Sequence, residues 1–493
     1  MKKYFYILVF AVLMGGLTSC NDWLDVSPKD RIPADKMFES ESGFKDILTG
    51  AYLKLGTANL YAGDMKYGYL DELAGLYCDY PGYNTNSVYN QAIVFDYTNQ
   101  FLSKKDNLYL EMYNVVANLN NLLQNIETHR DVLKTPHYYE CIKGEALGLR
   151  AFIYFDLLRL FGPIYSEHPT DAAIPYKTTY DKEPTPVLPA NQVVEKILED
   201  LKAAEALLKD NDPCDFHTDI EKRTDFLSNR EFRMNLYAVK AMMARVYCYS
   251  GQNDLAVQYA QEVIDANKYF TLYKSQTASN YNSIRYGEQI FGLSVNQLNN
   301  TLISNSMDME NTSVQQRYGM TADMFTKVYE GITSDWRQNV VAFNWDESHQ
   351  YAFCLKYNQA PLADNSGANA IPLIRLPEMY YIIAECAANA ETSAEALNTV
   401  RLSRGIPYSD EIHTLGYDDK DVTSEENKQQ TRRINEIMKE YRKEYYAEGQ
   451  LFFFLKAHHY TTYYGCGVAN MTSKEYQMPL PDNEKIFGNN TTK

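Results

Sequence analysis

Residues 235–268 read NLYAVKAMMARVYCYSGQNDLAVQYAQEVIDANK, and within them Ala244, Tyr247, Gly251, Ala256 and Ala260 fall at the spacing of a tetratricopeptide unit. In such a unit small residues let two antiparallel helices approach, and the glycine opens the turn between them. The position usually taken by a bulky aromatic is Ala260, with Tyr259 beside it, so the match is good without being complete. A weaker relative spans residues 376–404, where Met379-Tyr380-Tyr381-Ile382-Ile383-Ala384-Glu385 leads into a second helix near Ser393. One unit cannot bury its own apolar face, so two units with further helical hairpins predict a stacked helical scaffold.

The flanking chain supplies those hairpins. Residues 42–55 place Phe44, Ile47, Leu48, Ala51 and Tyr52 on one helical face. A long pair follows at 108–127 and 138–161, the second carrying the stripe Ala146, Leu149, Ile153, Leu157, Leu160 and Phe161 before Gly162-Pro163 stops it. Residues 164–189 hold five prolines and read as a connection into a charged amphipathic helix at 191–209. Another strong helix is expected at 433–446. With 24 glycines and 17 prolines in 493 residues, turn formers make up about 8% where about 12% is usual. That shortage also favours helices.

Two stretches break the pattern. Residues 61–100 are rich in tyrosine, glycine and asparagine, and residues 271–375 lose helical periodicity, with short strands expected at 289–295 and 351–355. Long irregular stretches within a compact protein are usually functional surface. The expected fold is therefore mostly α: a tetratricopeptide-like helical repeat scaffold with a large, irregular, loop-rich ligand-binding portion. Hairpins at 108–161, 191–268 and 376–404 form the scaffold, within one body spanning 41–493.

Ahead of that body, Lys2 and Lys3 precede an apolar run from Tyr4 to Met14, and Leu17-Thr18-Ser19-Cys20 closes it. This is the pattern of a secretory signal, too short to remain as a membrane-spanning helix. Its end reads as a bacterial lipobox, which makes residues 1–19 the leader, Cys20 the lipid attachment point and residues 20–40 a tether.

The net charge of −17 argues against nucleic acid, whose phosphates need clustered Lys and Arg. Seven further cysteines, Cys78, Cys141, Cys214, Cys248, Cys354, Cys386 and Cys466, show no C-x-x-C spacing and are expected to be mostly free structural thiols. No phosphate loop, H-E-x-x-H, G-x-S-x-G or EF-hand pattern occurs. Adjacent His458 and His459 would diverge on a helix, and Cys214 with His217 has no second pair, so no metal site is expected. No cofactor and no catalytic residue is indicated. A glycan hydrolase would need two carboxylates across a sugar-sized gap, and nothing in the sequence selects a pair.

Residues 61–97 hold eight tyrosines. An aromatic ring offers a flat face to a sugar or an extended peptide, while its hydroxyl and nearby amides satisfy polar groups. Tyr77, Asp79, Tyr80, Tyr83, Asn84, Asn86 and Tyr89 supply both kinds of group, with Trp336 and Trp345 as further stacking candidates. The alternative is that these rings pack the loops against the scaffold.

The lipobox followed by Asn21-Asp22-Trp23-Leu24-Asp25, the run GEALGLRAFIYF at 144–155, RMNLYAVKA at 233–241, IPLIRLPE at 371–378, NTVRLSRG at 398–405, AEGQLFFFL at 447–455 and MPLP at 478–481 resemble, in that order, the SusD/RagB family of outer-membrane nutrient-binding lipoproteins of Bacteroidetes. The resemblance implies a non-enzymatic surface protein, lipid-anchored in the outer membrane and facing the cell exterior. It also implies a SusC-like TonB-dependent transporter as partner and an oligosaccharide as ligand, with peptide as the alternative. Asp22 and Asp25 resemble surface-export signals of these bacteria, and Leu70-Asp71-Glu72-Leu73 leads into the region where family members place part of the ligand site. Only three tryptophans, Trp23, Trp336 and Trp345, are present, fewer than a glycan binder is expected to carry.

Overall fold

Asn235 opens the helix that carries the tetratricopeptide pattern, and its side chain does two jobs there. Its Oδ1 accepts from the Ala238 backbone N–H at 2.9 Å, while its Nδ2 donates to the carbonyls of Arg230 at 2.9 Å and Ile290 at 2.8 Å. The first contact caps the helix; the second holds the preceding turn, and the third fastens the start of the helix to a strand more than fifty residues away.

The computed structural model describes residues 36–78, 91–216, 224–274, 284–296, 298, 318–338, 342–357, 367 and 369–487. The main helices in chain order are α1 Glu41–Leu55, α2 Tyr69–Leu73, α3 Asn99–Ile126, α4 Tyr138–Phe161, α5 Ala190–Leu208, α6 Leu236–Tyr249, α7 Asn253–Ile264, α8 Ala322–Val328, α9 Leu376–Cys386, α10 Ala390–Ser403, α11 Arg432–Glu444 and α12 Leu451–Ala457. Helix α1 packs on α3 and α4, and from α3 through α7 each helix packs on the next. Helix α9 then lies against α6, α7 and α10, and α11 joins α9, α10 and α12. The scaffold is thus a stack of helical hairpins, and no helix among the described residues is long and apolar enough to cross a membrane.

Small residues set the closest approach. A Cβ on Gly144 of α4 would lie 2.8 Å from Leu208 Cγ of α5, so only glycine admits that packing. The charged residue beside it is equally committed. Glu145 is buried and accepts from Arg230 at 2.5 Å, Arg233 at 2.8 Å and the Tyr52 hydroxyl at 2.6 Å, tying α4 to α1 and to the approach to α6. One turn later Arg150 makes a two-pronged pair with Asp200 of α5, at 2.8 and 2.7 Å.

Two helices depart from the periodicity. Helix α3 starts at Asn99 and not near residue 108; among the described side chains its first two turns bury Phe101 and Lys105, whose Nζ donates to the Pro479 carbonyl at 2.7 Å. Helix α8 lies inside the stretch expected to lack helices, capped by Thr321, whose hydroxyl accepts from Met324 N–H at 3.2 Å.

Seven short strands form three antiparallel sheets among the described residues: β1 Ala172–Pro175 with β2 Val187–Pro189; β3 Gln289–Ser294 with β7 Ala370–Arg375; and β4 Gly319–Thr321, β6 Tyr351–Cys354 and β5 Phe343–Trp345, in that spatial order. Strand β7 runs straight into α9 and delivers Arg375 to the core. There Arg375 donates to Glu288 at 3.1 Å, Glu444 at 2.7 Å and Glu448 at 2.7 Å, and Arg404 also reaches Glu444 and Glu288. Arg337 joins the same network through Asp335 at 2.7 Å and Glu444 at 3.2 Å. The arginines of the IPLIRLPE and NTVRLSRG runs are therefore scaffold residues, buried in mutual ion pairs.

Candidate functional site

The face built by β4, β6, β5 and α8 is where the tyrosine-rich segment leaves the described structure. Cys78 N–H donates to the Gly319 carbonyl at 2.9 Å, extending the edge of β4. On the return side, a Cβ on Gly467 would sit 2.0 Å from the Ile93 carbonyl, so the chain comes back flush against residues 463–467.

Helix α8 carries an aromatic group on each flank. Trp345 of β5 is half-buried, packs edge-on against Phe325 with centroids 4.9 Å apart, and stacks with His349 at 6.3 Å. On the other flank, the Tyr464 hydroxyl donates to Asp323 Oδ2 at 2.9 Å, and Lys327 Nζ lies 4.6 Å from the centre of its ring. Tyr464 is held by its neighbour: Gly465 and Gly75 both have positive φ, 81° and 68°, and a Cβ on Gly465 would be 2.1 Å from the Gly75 carbonyl.

From Tyr464 a groove of about 670 Å³ runs along α11. It is lined by Lys327, Thr423, Ser424, Glu425, Arg432 and Lys439, among others. Its floor is fixed electrostatically. Burial opposes ionisation of Glu426, yet its pairing with Arg442 holds its carboxyl below the ordinary range, and its Oε2 accepts from Tyr464 N–H at 3.0 Å. Asp421, also opposed by burial, is held low by Asn435 Nδ2 at 3.0 Å and the Thr423 hydroxyl at 2.8 Å. Both shifts run opposite to what a proton-donating catalytic acid needs. The groove offers one flat aromatic face and a ring of hydroxyl, amide, carboxylate and cationic groups, which is the equipment of a polyhydroxylated-ligand site.

The residues selected from sequence fall in several places. Tyr77 is buried; its hydroxyl donates to the Tyr67 carbonyl at 2.8 Å, and its ring packs against Tyr318 and Tyr446. Trp336 is buried as well, its Nε1 donating to the Ser403 carbonyl at 2.9 Å and its ring centre lying 5.0 and 5.1 Å from the guanidinium groups of Arg285 and Arg404. Both serve as packing residues, the alternative weighed for such rings. Trp345 alone of the described candidates borders the open face. Asp79, Tyr80, Tyr83, Asn84, Asn86, Tyr89 and the lipid-attachment candidate Cys20 lie outside the described residues. His458 and His459 point to different partners, Glu385 at 3.0 Å and Glu167 at 2.5 Å. Among the described residues no group of His, Cys, Asp or Glu is arranged to hold a metal.

Tyr464, Lys327 and residues 421–439 were not singled out from the sequence. The only signal was the tyrosine cluster at 460–464, Tyr-Thr-Thr-Tyr-Tyr, next to Gly465.

Two family models match successive parts of this chain. The one described as starch-binding, associating with outer membrane, matches residues 22–248, and the SusD family model matches residues 281–492. The chain belongs to the SusD/RagB family. A SusD-like protein of Formosa agariphila is 26% identical over 215 residues, a match covering 42% of this chain and 38% of that relative, so the chain spans well under half of the curated relative it matches. Among solved structures, a SusD superfamily protein of Bacteroides thetaiotaomicron superposes with a TM-score of 0.67 at 18% identity, covering 91% of this chain and 98% of that one. A SusD-like carbohydrate binding protein of Bacteroides vulgatus gives a TM-score of 0.68 at 19% identity, covering 92% and 97%. The stacked-helix architecture is the SusD fold.

Proposed function

We propose that this chain is a surface lipoprotein, anchored through Cys20, that captures an oligosaccharide in the groove beside Tyr464 and hands it to a SusC-like TonB-dependent transporter. The observation that carries the reading is the groove itself: an aromatic face set among many hydrogen-bonding groups, running from Tyr464 along α11. Support for a glycan also comes from the starch-binding description of the family model matching the N-terminal half. The absence of catalysis is part of the proposal, supported by groove carboxyls held ionised and committed to structural partners.

The test is binding of the soluble body, starting after Cys20, to an oligosaccharide panel and a peptide panel, followed by co-purification from cells expressing the full chain. Saturable binding to a glycan class, weakened about tenfold on changing Tyr464 to Ala, is the expected result. Binding confined to peptides would redirect the ligand assignment, and release of reducing ends from a polysaccharide mixture would remove the non-catalytic reading.

A further inference from the structure

Where α4, α6, α9 and α12 converge, the packing leaves a small cavity of about 60 Å³. Its wall includes Phe155 and Arg159 of α4, Tyr249 at the end of α6 and Phe453 of α12. A single water needs about 10–15 Å³, so the space admits an ion or a few waters and is far too small for a sugar.

Two polar groups on this wall are orphaned. Arg159 is buried, and its Nε has no hydrogen-bond acceptor among the described residues. The Tyr249 hydroxyl is shut off from solvent and has no partner among them either. A buried donor without an acceptor is unfavourable, most of all on a charged group, and two beside one cavity imply an occupant that accepts from both. The guanidinium is not free to turn elsewhere. Its central carbon lies 3.7 Å from the centre of the Phe453 ring and 4.6 Å from that of Phe155, and its Nη2 donates to Asp156.

Charge decides between water and an ion. The wall and the residues behind it bring three cations, Arg159, Arg245 and Lys456, together with three carboxylates, Asp156, Glu378 and Glu385. Asp156 serves Arg159, Glu378 takes Arg245 at 2.6 Å, and Glu385 faces His458 at 3.0 Å. With His458 protonated, all three carboxylates are matched and Lys456 is left without a counter-charge. Its buried Nζ donates to the carbonyls of Arg159 and Gly162, each at 2.7 Å, and burial together with the Arg159 charge pushes it down to about 7. A single negative charge beside Arg159 restores neutrality in a region where an unmatched ion is strongly disfavoured.

We infer that this cavity is a binding site for a small monovalent anion of the halide class, which accepts from Arg159 Nε and from the Tyr249 hydroxyl and so ties the end of α6 to α4.

The purified full chain is crystallised from sodium bromide at about pH 6, where Lys456 keeps its proton. Bromide carries the same charge as chloride and scatters X-rays anomalously. The expected result is an anomalous peak in the cavity, within hydrogen-bonding distance of Arg159 Nε and the Tyr249 hydroxyl. Water alone in the cavity would overturn the inference, as would bromide found only at exposed lysines, an adventitious ion only. In solution at the same pH, exchanging gluconate, which is too large to enter, for chloride at equal ionic strength should raise the melting temperature on the order of 1 °C. Tyr249→Phe removes one donor, strands no protein group, and keeps the ring against Phe155 and Tyr165. Its chloride shift should fall to about half of the parent's or less. A shift equal to the parent's would assign the chloride effect to the protein surface and refute the site.

Discussion

Arg375 and Glu444 meet at 2.7 Å with neither side chain reached by solvent. Each is shared: Arg375 also serves Glu288 and Glu448, and Glu444 also accepts from Arg404 and Arg337. The pair therefore joins β7, α10, α11 and the turn after α11 at one point. Taking away one partner of a buried pair strands the other, at a cost of about 3–5 kcal/mol. Arg375→Leu should lower stability by that amount in denaturant titration, while a surface change such as Lys196→Ala should not. An Arg375→Leu protein as stable as the parent would show that the network is dispensable.

The same network predicts acid sensitivity. Burial raises the cost of ionising Glu448, yet Arg375 and Lys356 outweigh it and hold the carboxyl at about 2. Glu440 and Glu444 are also pulled down, against burial, by their surrounding cations. A carboxyl lowered on folding contributes stability that is complete above its ordinary value and lost as pH falls toward its folded value. Thermal midpoints should therefore drop steeply from pH 4.5 toward pH 2. Glu448→Gln should be the less stable protein at neutral pH, with the gap narrowing as the acid limit is approached.

Asp71 should behave in the opposite sense. Burial pushes its carboxyl up to about 8, although Gly449 N–H donates to Oδ1 at 2.9 Å and the Tyr77 hydroxyl to Oδ2 at 3.3 Å. Between its ordinary value of 3.8 and 8 the folded chain holds a proton that the unfolded chain has released, so this group subtracts stability as pH rises through that window. Asp71→Asn keeps the acceptor for Gly449 and should flatten the decline in melting temperature measured from pH 5 to pH 8. Parallel curves for parent and variant would mean that another group titrates.

The scaffold was legible because helices with a buried face repeat their apolar residues at a fixed spacing. Strand β3 and helices α4, α6 and α9 lie where periodicity and capping residues put them. What periodicity could not report was charge in the core: Arg375, Arg404 and Glu444 are buried among partners distant in sequence, which no apolar spacing reveals. The groove was hidden for a related reason. Lys327, residues 421–439 and Tyr464 come from three separated stretches, none with a repeat, and only the fold brings them together. Tyr77 and Trp336 show the converse: residue type left ligand contact and packing both open for them, and burial places their rings in packing.

Tyr464 offers the sharpest test of the groove, because its ring and its hydroxyl have separable duties. The hydroxyl is engaged by Asp323, and the ring borders the cavity beneath Lys327. Tyr464→Phe keeps the ring and should change oligosaccharide affinity only slightly. Tyr464→Ala removes the stacking surface and should weaken binding about tenfold, about 1.4 kcal/mol, with the melting temperature nearly unchanged. Gly465→Ala leaves the ring in place chemically but forces a Cβ toward the Gly75 carbonyl at a backbone φ of 81°. That variant should both melt earlier and bind more weakly, because the strain is relieved by moving Tyr464. Should Gly465→Ala lose stability while retaining full affinity, the position of Tyr464 would not govern binding, and the ligand face would have to be sought on the Trp345 side of α8.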